Sequence, residues 1–424
     1  MMIARRSPKD KAAVRKSARR TARQKSRAKR RRADARTVRD RNRKRGRGLD
    51  ERLVHRVAKT AFGRLLHHKQ VLSVALVVLG VVFTARMTIH AIGAALASAR
   101  GGCMKHGIKQ VDRFLSNEKI EPLQLRRGLV AAAVGRRQHV EVSMDWTDFD
   151  KDDHATLALS LVLRRGRAIP VVWTTVKKSR LGKRQTLHER TALRMLRDAL
   201  PDGVRVTVIA DRGFGSTDLY DHLLGIPGFD FIIRFRQKIY VAASGRYEKA
   251  SALVPRNGSV RVLRDALLTA KRAGPYTVVL HKARKMKEPW CLATSLDTAD
   301  GRDIVRAYGH RFECEEGFRD LKDWRFGLAL RHTSIKDEGR REHILFAFAL
   351  AAFLLTIVGV ESERLGCDRY LRANTSTRRT HSLFRQGREI VAGALPDDLL
   401  RAVLYAACRA IAAALTKGFC HAIS

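Results

Sequence analysis

Apolar and polar positions alternate through the middle of the chain and recur at helical spacing on either side of it. Val140-Glu-Val-Ser-Met-Asp-Trp146 largely alternates, and Leu157-Ala-Leu-Ser-Leu-Val-Leu163 and Pro170-Val-Val-Trp-Thr-Thr175 follow as further strands. A helical pattern then runs from about His188 to Leu200, an alternating strand from Val204 to Asp211, and a second helical pattern near Thr217–Leu224. Three strands, a helix, a strand and another helix make an α/β order. Short strands recur at Phe231–Phe235, Ile239–Ala242, Val260–Leu263, Tyr276–Leu280 and Cys291–Thr294, which predicts a β-rich insertion over about 229–298. No proline occurs between Pro8 and Pro122, or between Pro289 and Pro396, and these long Ala-, Leu-, Arg- and Glu-containing stretches favour helices. The reading is a basic arm (1–50), a helical region (51–135), an α/β domain (136–345) and a C-terminal helical region (346–424). No internal repeat is visible.

Two apolar runs resemble membrane spans: Gln70 to Ala85 and Ile344 to Val360 are uncharged. Both fall short of the roughly 20 residues a spanning helix needs, so both are expected as buried core helices, with no membrane partner. The first residues, Met-Met-Ile-Ala-Arg-Arg, lack the apolar core of a secretory leader. Six cysteines (Cys103, Cys291, Cys314, Cys367, Cys408 and Cys420) form no CxxC pair, which fits reduced thiols in a cytoplasmic protein better than a zinc ribbon or disulfide scaffold.

Charge changes the picture most. Lys and Arg number 85 against 41 Asp and Glu, a net +44, so a polyanionic partner is expected, nucleic acid first among them. Residues 1–50 hold 22 basic and 4 acidic residues and almost no large apolar ones. That stretch is expected to be disordered until it meets DNA, or else to be a solvated tail or an over-extended start.

Candidate chemistry lies at strand ends. Asp145 closes the first strand and Asp211 the fourth, where α/β sheets place ligands. Acids there also serve as turn formers. Strands one and four are expected to be neighbours, which brings the two carboxylates together. Farther on, Tyr308, Arg311, Glu315 and Lys322 fall at about 0°, −60°, −20° and −40° on a helix turning roughly 100° per residue, one narrow face. A solvated helix with an i,i+4 Arg–Glu pair is the bland alternative. The stripe also offers a metal-binding carboxylate with cationic and phenolic donors for phosphate.

At these residues the chain resembles a family. Tyr308-Gly-His-Arg311-Phe-Glu-Cys-Glu315, followed after six residues by Lys322, matches the Y-(2)-R-(3)-E-(6)-K signature of cut-and-paste DDE transposases of bacterial insertion sequences. Asp145-Trp146-Thr147 and Ala210-Asp211-Arg212-Gly213-Phe214 are similar to the surroundings of that family's two catalytic aspartates, and Arg113-Phe114-Leu115-Ser116-Asn117 to a motif of its DNA-binding region. The likeness spans roughly 60–395 and leaves out the basic head.

The resemblance implies an RNase H-like mixed-sheet catalytic core, flanked by N- and C-terminal helical regions. In it Asp145, Asp211 and Glu315 would hold two Mg²⁺ ions, with Mn²⁺ able to substitute. Tyr308, Arg311 and Lys322 would grip DNA phosphates, and Arg113 would contact the end. Trp290 is placed like a tryptophan that stacks on a flipped base when the end forms a hairpin, or is a core residue of the insertion. The implied protein binds double-stranded DNA, both transposon ends and target, as a homodimer in the bacterial cytoplasm on the nucleoid. An inactive or domesticated DNA-binding relative, or a metal-dependent nuclease of the same fold, is the alternative. A DNA-packaging protein would explain the charge but not the stripe, and a serine or tyrosine recombinase would need a covalent protein–DNA link.

Other features weigh less. Asp148, Asp150, Asp152 and Asp153 read as a solvated turn, and His188-Glu-Arg as ordinary helix surface. Gly101-Gly102 and Gly213-x-Gly215 have no P-loop lysine, so nucleotide hydrolysis has no support.

Overall fold

The computed structural model describes residues 49–423 apart from Ala85 and 324–326. The basic arm expected over 1–50 therefore lies, except for Leu49 and Asp50, outside the described residues. Five helices come first: α1 (Glu51–Phe62), α2 (His68–Phe83), α3 (Ile89–Arg100), α4 (Met104–Leu115) and α5 (Pro122–Val134). Their starts follow local chemistry. Asp50 accepts the Leu53 N–H at the head of α1, and His67 with Gln70 closes a reciprocal cap on α2. α3 and α4 approach so closely that a Cβ on Gly93 or Gly107 would meet the backbone of the other helix.

The strands are β1 (His139–Phe149), β2 (His154–Leu161), β3 (Ile169–Lys177), β4 (Arg205–Ala210), β5 (Phe229–Arg234), β6 (Tyr240–Ala243), β7 (Arg246–Lys249), β8 (Val260–Leu268), β9 (Ala273–His281) and β10 (Trp290–Thr294). They form one ten-stranded mixed sheet in the order β3-β2-β1-β4-β5-β10-β9-β8-β6-β7. β1 runs parallel to β4 and β4 to β5, while the other pairs are antiparallel. Three antiparallel strands followed by two parallel ones, with helices on both faces, is the RNase H-like α/β core. Strands one and four are neighbours, as expected. β2 is buried at every position, so its near-continuous apolar run reflects cover on both faces.

The β-rich stretch is not set apart from this core. Its first strand, β5, extends the parallel ladder, and β10 returns antiparallel to β5 to carry the sheet outward into β9 and β8.

Two crossover helices, α6 (Gln185–Ala199) and α7 (Thr217–Leu224), lie between the parallel strands in sequence. After the sheet come α8 (Gly301–Gly309), α9 (Phe312–Lys322), α10 (Glu338–Arg364), α11 (Leu383–Val391) and α12 (Asp397–Lys417). The two apolar runs are the buried helices α2 and α10. Both α10 and α12 are long and apolar enough to cross a membrane by length and composition, but the apolar stretch of α10 is wholly buried inside the protein. It packs on α2, α4, α5, α12 and β3, joining the helical layers of both chain ends to the sheet. α11 lies directly on it: a Cβ on Gly359 or Gly387 would strike the other helix's backbone.

Candidate active site

The parallel β1–β4 ladder ends at the pair Met144 and Ala210, so Asp145 and Asp211 are the next residues on two strands that have just parted. Asp211 turns its carboxylate back to accept the Gly213 N–H at 2.7 Å and starts a tight turn over Arg212–Phe214. Asp145 does not close its strand as expected, since the β2 hairpin partner carries β1 on to Phe149; it remains paired only with Ala158 of β2. Burial pushes its carboxyl up to about 6 against the pull of Arg311, with the charges of Asp211 and Glu315 adding to the rise.

Glu315 lies on α9, which crosses the Ser143–Asp145–Thr147 face of β1. Cys314, one residue earlier, is buried against Ser160 at 3.6 Å, and this contact seats the helix on the sheet. Arg311 Nη2 meets Glu315 Oε1 at 2.7 Å. At the far end of α9, Lys322 donates to the Thr147 hydroxyl and, at 3.1 Å, to the Asp148 carbonyl. Its ammonium lies 4.9 Å from the Phe149 ring. Burial, with Arg331 nearby, brings the Lys322 amine down to about 8, against the opposing pull of Asp148, Asp145 and Asp150.

The four-residue stripe departs from the single helix face expected of it. The chain breaks at His310 and Arg311, between α8 and α9, so a uniform turn per residue does not carry across from Tyr308. His310 Nδ1 meets Glu141 Oε2 at 2.7 Å on one side of the break and Cys314 is seated on the other, which fixes the bend. Tyr308 consequently points into an apolar cluster with Ile209, Ile232, Leu292 and Ile304, and is 1% exposed. Arg311 and Glu315 stay paired, and Lys322 reaches the end of β1.

Trp290 opens β10 and is half-buried, its ring edge-on to Tyr308 at 4.8 Å. Phe312, which the sequence did not single out, lies 6.2 Å from Trp290 and is 45% exposed, with the Arg311 guanidinium 4.7 Å over its ring. Its only signal in the sequence is its place beside Arg311. Just before Trp290, Glu288 accepts from both Arg212 and Arg234 at 2.8 Å, tying the turn after Asp211 to the start of β10. Arg113 sits apart from these residues on α4, in an exposed row with Lys105 and Lys109 at i,i+4 spacing.

Two bland expectations are corrected. Asp152 is not part of a solvated turn: it is buried in an ion pair with Arg341, while Asp148 and Asp150 share Lys178 at the surface. Nor is Glu189, of His188-Glu-Arg, helix surface; it is 5% exposed and accepts the Trp146 indole N–H at 3.0 Å.

Among the described residues no three His, Cys, Asp or Glu side chains are gathered closely enough to hold an ion. The donor chemistry nevertheless fits a hard divalent cation. Asp145, Asp211 and Glu315 are carboxylates, the charges of the latter two raise the cost of ionising Asp145, and Arg311 is the cation that offsets it.

Residues 182–354 match the family model described as transposase DDE domain. The match takes in Asp211 and Glu315 and begins beyond Asp145. No curated protein matches the chain.

Proposed function

We propose that this chain, whose residues 182–354 match the transposase DDE domain, an enzyme class acting on DNA, binds the terminal inverted repeats of an insertion sequence, cleaves them and joins them to target DNA. The observation that carries this is the position of Asp145 and Asp211 on diverging parallel strands, with Glu315 held above them on α9. In this reading Asp145, Asp211 and Glu315 would hold two Mg²⁺ ions, for which Mn²⁺ would substitute. When bound, the pair supplies activation of water or a 3′-hydroxyl and stabilisation of the leaving oxygen in an in-line displacement.

The chain's own residues position the DNA. Arg311 exchanges Glu315 for a phosphate of the transposon end, a charge-assisted bond of the same kind. Lys322, anchored on Thr147, holds a second phosphate beside Asp145. Tyr308 supports the Trp290 ring from its edge, leaving that ring beside exposed Phe312 as a platform for an unstacked base. Arg113, Lys105 and Lys109 on α4 offer a cationic row to duplex DNA away from the cutting site. Two copies pair two ends, so the functional unit is a homodimer acting in the compartment that holds the DNA.

The test incubates purified protein with a labelled fragment carrying the element's own end and Mg²⁺, and maps the products. Asp145→Asn, Asp211→Asn and Glu315→Gln each remove a charge at nearly constant shape and are expected to abolish cleavage while end binding persists. Strand cleavage retained in any one of them removes that residue from the proposed triad. A wild-type chain that binds ends and never cleaves them is an inactive relative, and one that cuts without joining is a nuclease.

A further inference from the structure

We propose that Glu189 is a positioning residue for Asp145, acting through the Trp146 indole; this rests on the reading of Asp145 as a metal-binding acid. The need for such a residue follows from the register. β1 loses β4 after Met144, so from Asp145 onward its flank is held by β2 alone, through Asp145 against Ala158 and Trp146 against Leu157. Successive side chains of a strand point to opposite faces. Asp145 faces α9 and the other acids, and Trp146 faces α6. On that far side the indole N–H donates to Glu189 Oε1 at 3.0 Å.

Glu189 is an odd choice unless this bond matters. It is almost fully buried, and burial holds its carboxyl above the usual range, against the pull of hydrogen bonds from Trp146 and Gln185. Among the described residues no cation pairs with it. A buried carboxylate without a counter-ion is costly, and a leucine would fill the space. α6, which carries Glu189, packs on β2, β3 and α5, so the anchor is fixed to the same sheet that it steadies. Because Trp146 adjoins Asp145, a swing of the indole twists the shared peptide and moves the carboxylate. Displacing a reacting group by about 1 Å costs on the order of a hundredfold in rate.

The experiment compares wild type, Glu189→Gln, Glu189→Leu, Trp146→Phe and the double variant Glu189→Leu/Trp146→Phe, each as the full chain bound to its end DNA. Cleavage rate is measured against Mg²⁺ concentration, and Mn²⁺ binding by loss of the free-ion EPR signal. Glu189→Gln keeps an acceptor oxygen and is expected to stay near wild type in both. Glu189→Leu and Trp146→Phe are expected to lose about tenfold or more in cleavage and to bind Mn²⁺ several-fold more weakly, at unchanged end affinity. The double variant should be no worse than either single one, since one bond is lost in all three.

Glu189→Leu with wild-type cleavage and Mn²⁺ affinity would overturn the proposal. So would Glu189→Gln failing as badly as Glu189→Leu, or a lowered melting temperature with unchanged Mn²⁺ affinity. If Glu189→Leu does not fold, Trp146→Phe decides alone, since it removes the N–H and keeps most of the ring. A wild-type complex that binds no Mn²⁺ fails the reading of Asp145 itself, before Glu189 is tested.

Discussion

Arg341 offers the sharpest test of how this site is supported. It is 0% exposed at the start of α10, and its guanidinium pairs with Asp152, which is 4% exposed. Nη2 also donates to the Ile335 carbonyl at 3.2 Å and Nε to His154 Nδ1 at 3.3 Å, and the group stacks 4.3 Å from the Phe149 ring. Arg341→Met keeps the length and removes the charge. It strands the Asp152 carboxylate, a loss of about 3–5 kcal/mol for a broken buried pair. The lost contact with Phe149 adds roughly 1–2 kcal/mol. With a urea dependence of about 3 kcal/mol per molar, at the upper end for small proteins, the unfolding midpoint should fall by more than about 1 M. Asp152→Leu combined with Arg341→Met should recover most of that loss, because no charge is then left unpaired. Urea unfolding of the four proteins, followed by far-UV circular dichroism, closes the cycle. Strictly additive losses in the double variant would mean that the pair is not coupled and that the turn between β1 and β2 is held by something else.

Asp145 gives a pH prediction with a definite sign. Its carboxyl is raised from 3.8 to about 6, so the folded state holds a proton that the unfolded state releases, and stability should fall as pH rises between those values, with the loss complete above about 6. Thermal melts at pH 5 and pH 7.5 should show the drop without divalent metal and a smaller one with Mg²⁺; a flat profile refutes the assignment. Lys322, brought down to about 8, should lose its proton as pH rises through that value, weakening end binding in fluorescence anisotropy at constant ionic strength. Lys322→Arg should remove this dependence, and an identical slope in both proteins would place Lys322 away from phosphate. Trp290→Ala should leave first-strand nicking intact and lower the ratio of hairpin to nicked product, whereas equal loss of both would make the residue packing for Tyr308.

Much of the core was legible because its pattern is local. Alternation over 140–146 and 204–211 reports strands with one face on each layer, and Asp211 follows the end of β4 as its place in the sequence suggests, whereas Asp145 lies inside β1, which runs on to Phe149 along β2. That the two acids are brought side by side follows from strand order, which the run of strands and helices already suggests. The break at His310 and Arg311 was not legible, since it is fixed by Glu141, 169 positions away. The same holds for Glu189, whose polar surroundings in sequence read as surface while its partner Trp146 lies 43 positions back. Asp152 reads as solvated among neighbouring acids because Arg341 is 189 positions distant. Phe312 carries no signal in the sequence beyond its place beside Arg311, because an aromatic in a helix is ordinarily core, and only the bend before α9 leaves it exposed beside Trp290. β5 reads as one of the strands that follow it because periodicity identifies strands but not the sheet neighbour each one chooses.

The position of α10 has a consequence for how the chain comes into being. Residues 338–364 are the surface on which α2, α4, α5 and β3 close, yet they are made after all of these. On a ribosome working from the N-terminus, the helices around α4 and the strands carrying Asp145 and Asp211 emerge with that face uncovered. Exposed apolar surface of this kind invites aggregation until its cover arrives. A product ending before α10 should therefore be an insoluble fragment rather than a weakened enzyme. The cationic row on α4 and the acids Asp145 and Asp211 mature together, once synthesis is nearly complete.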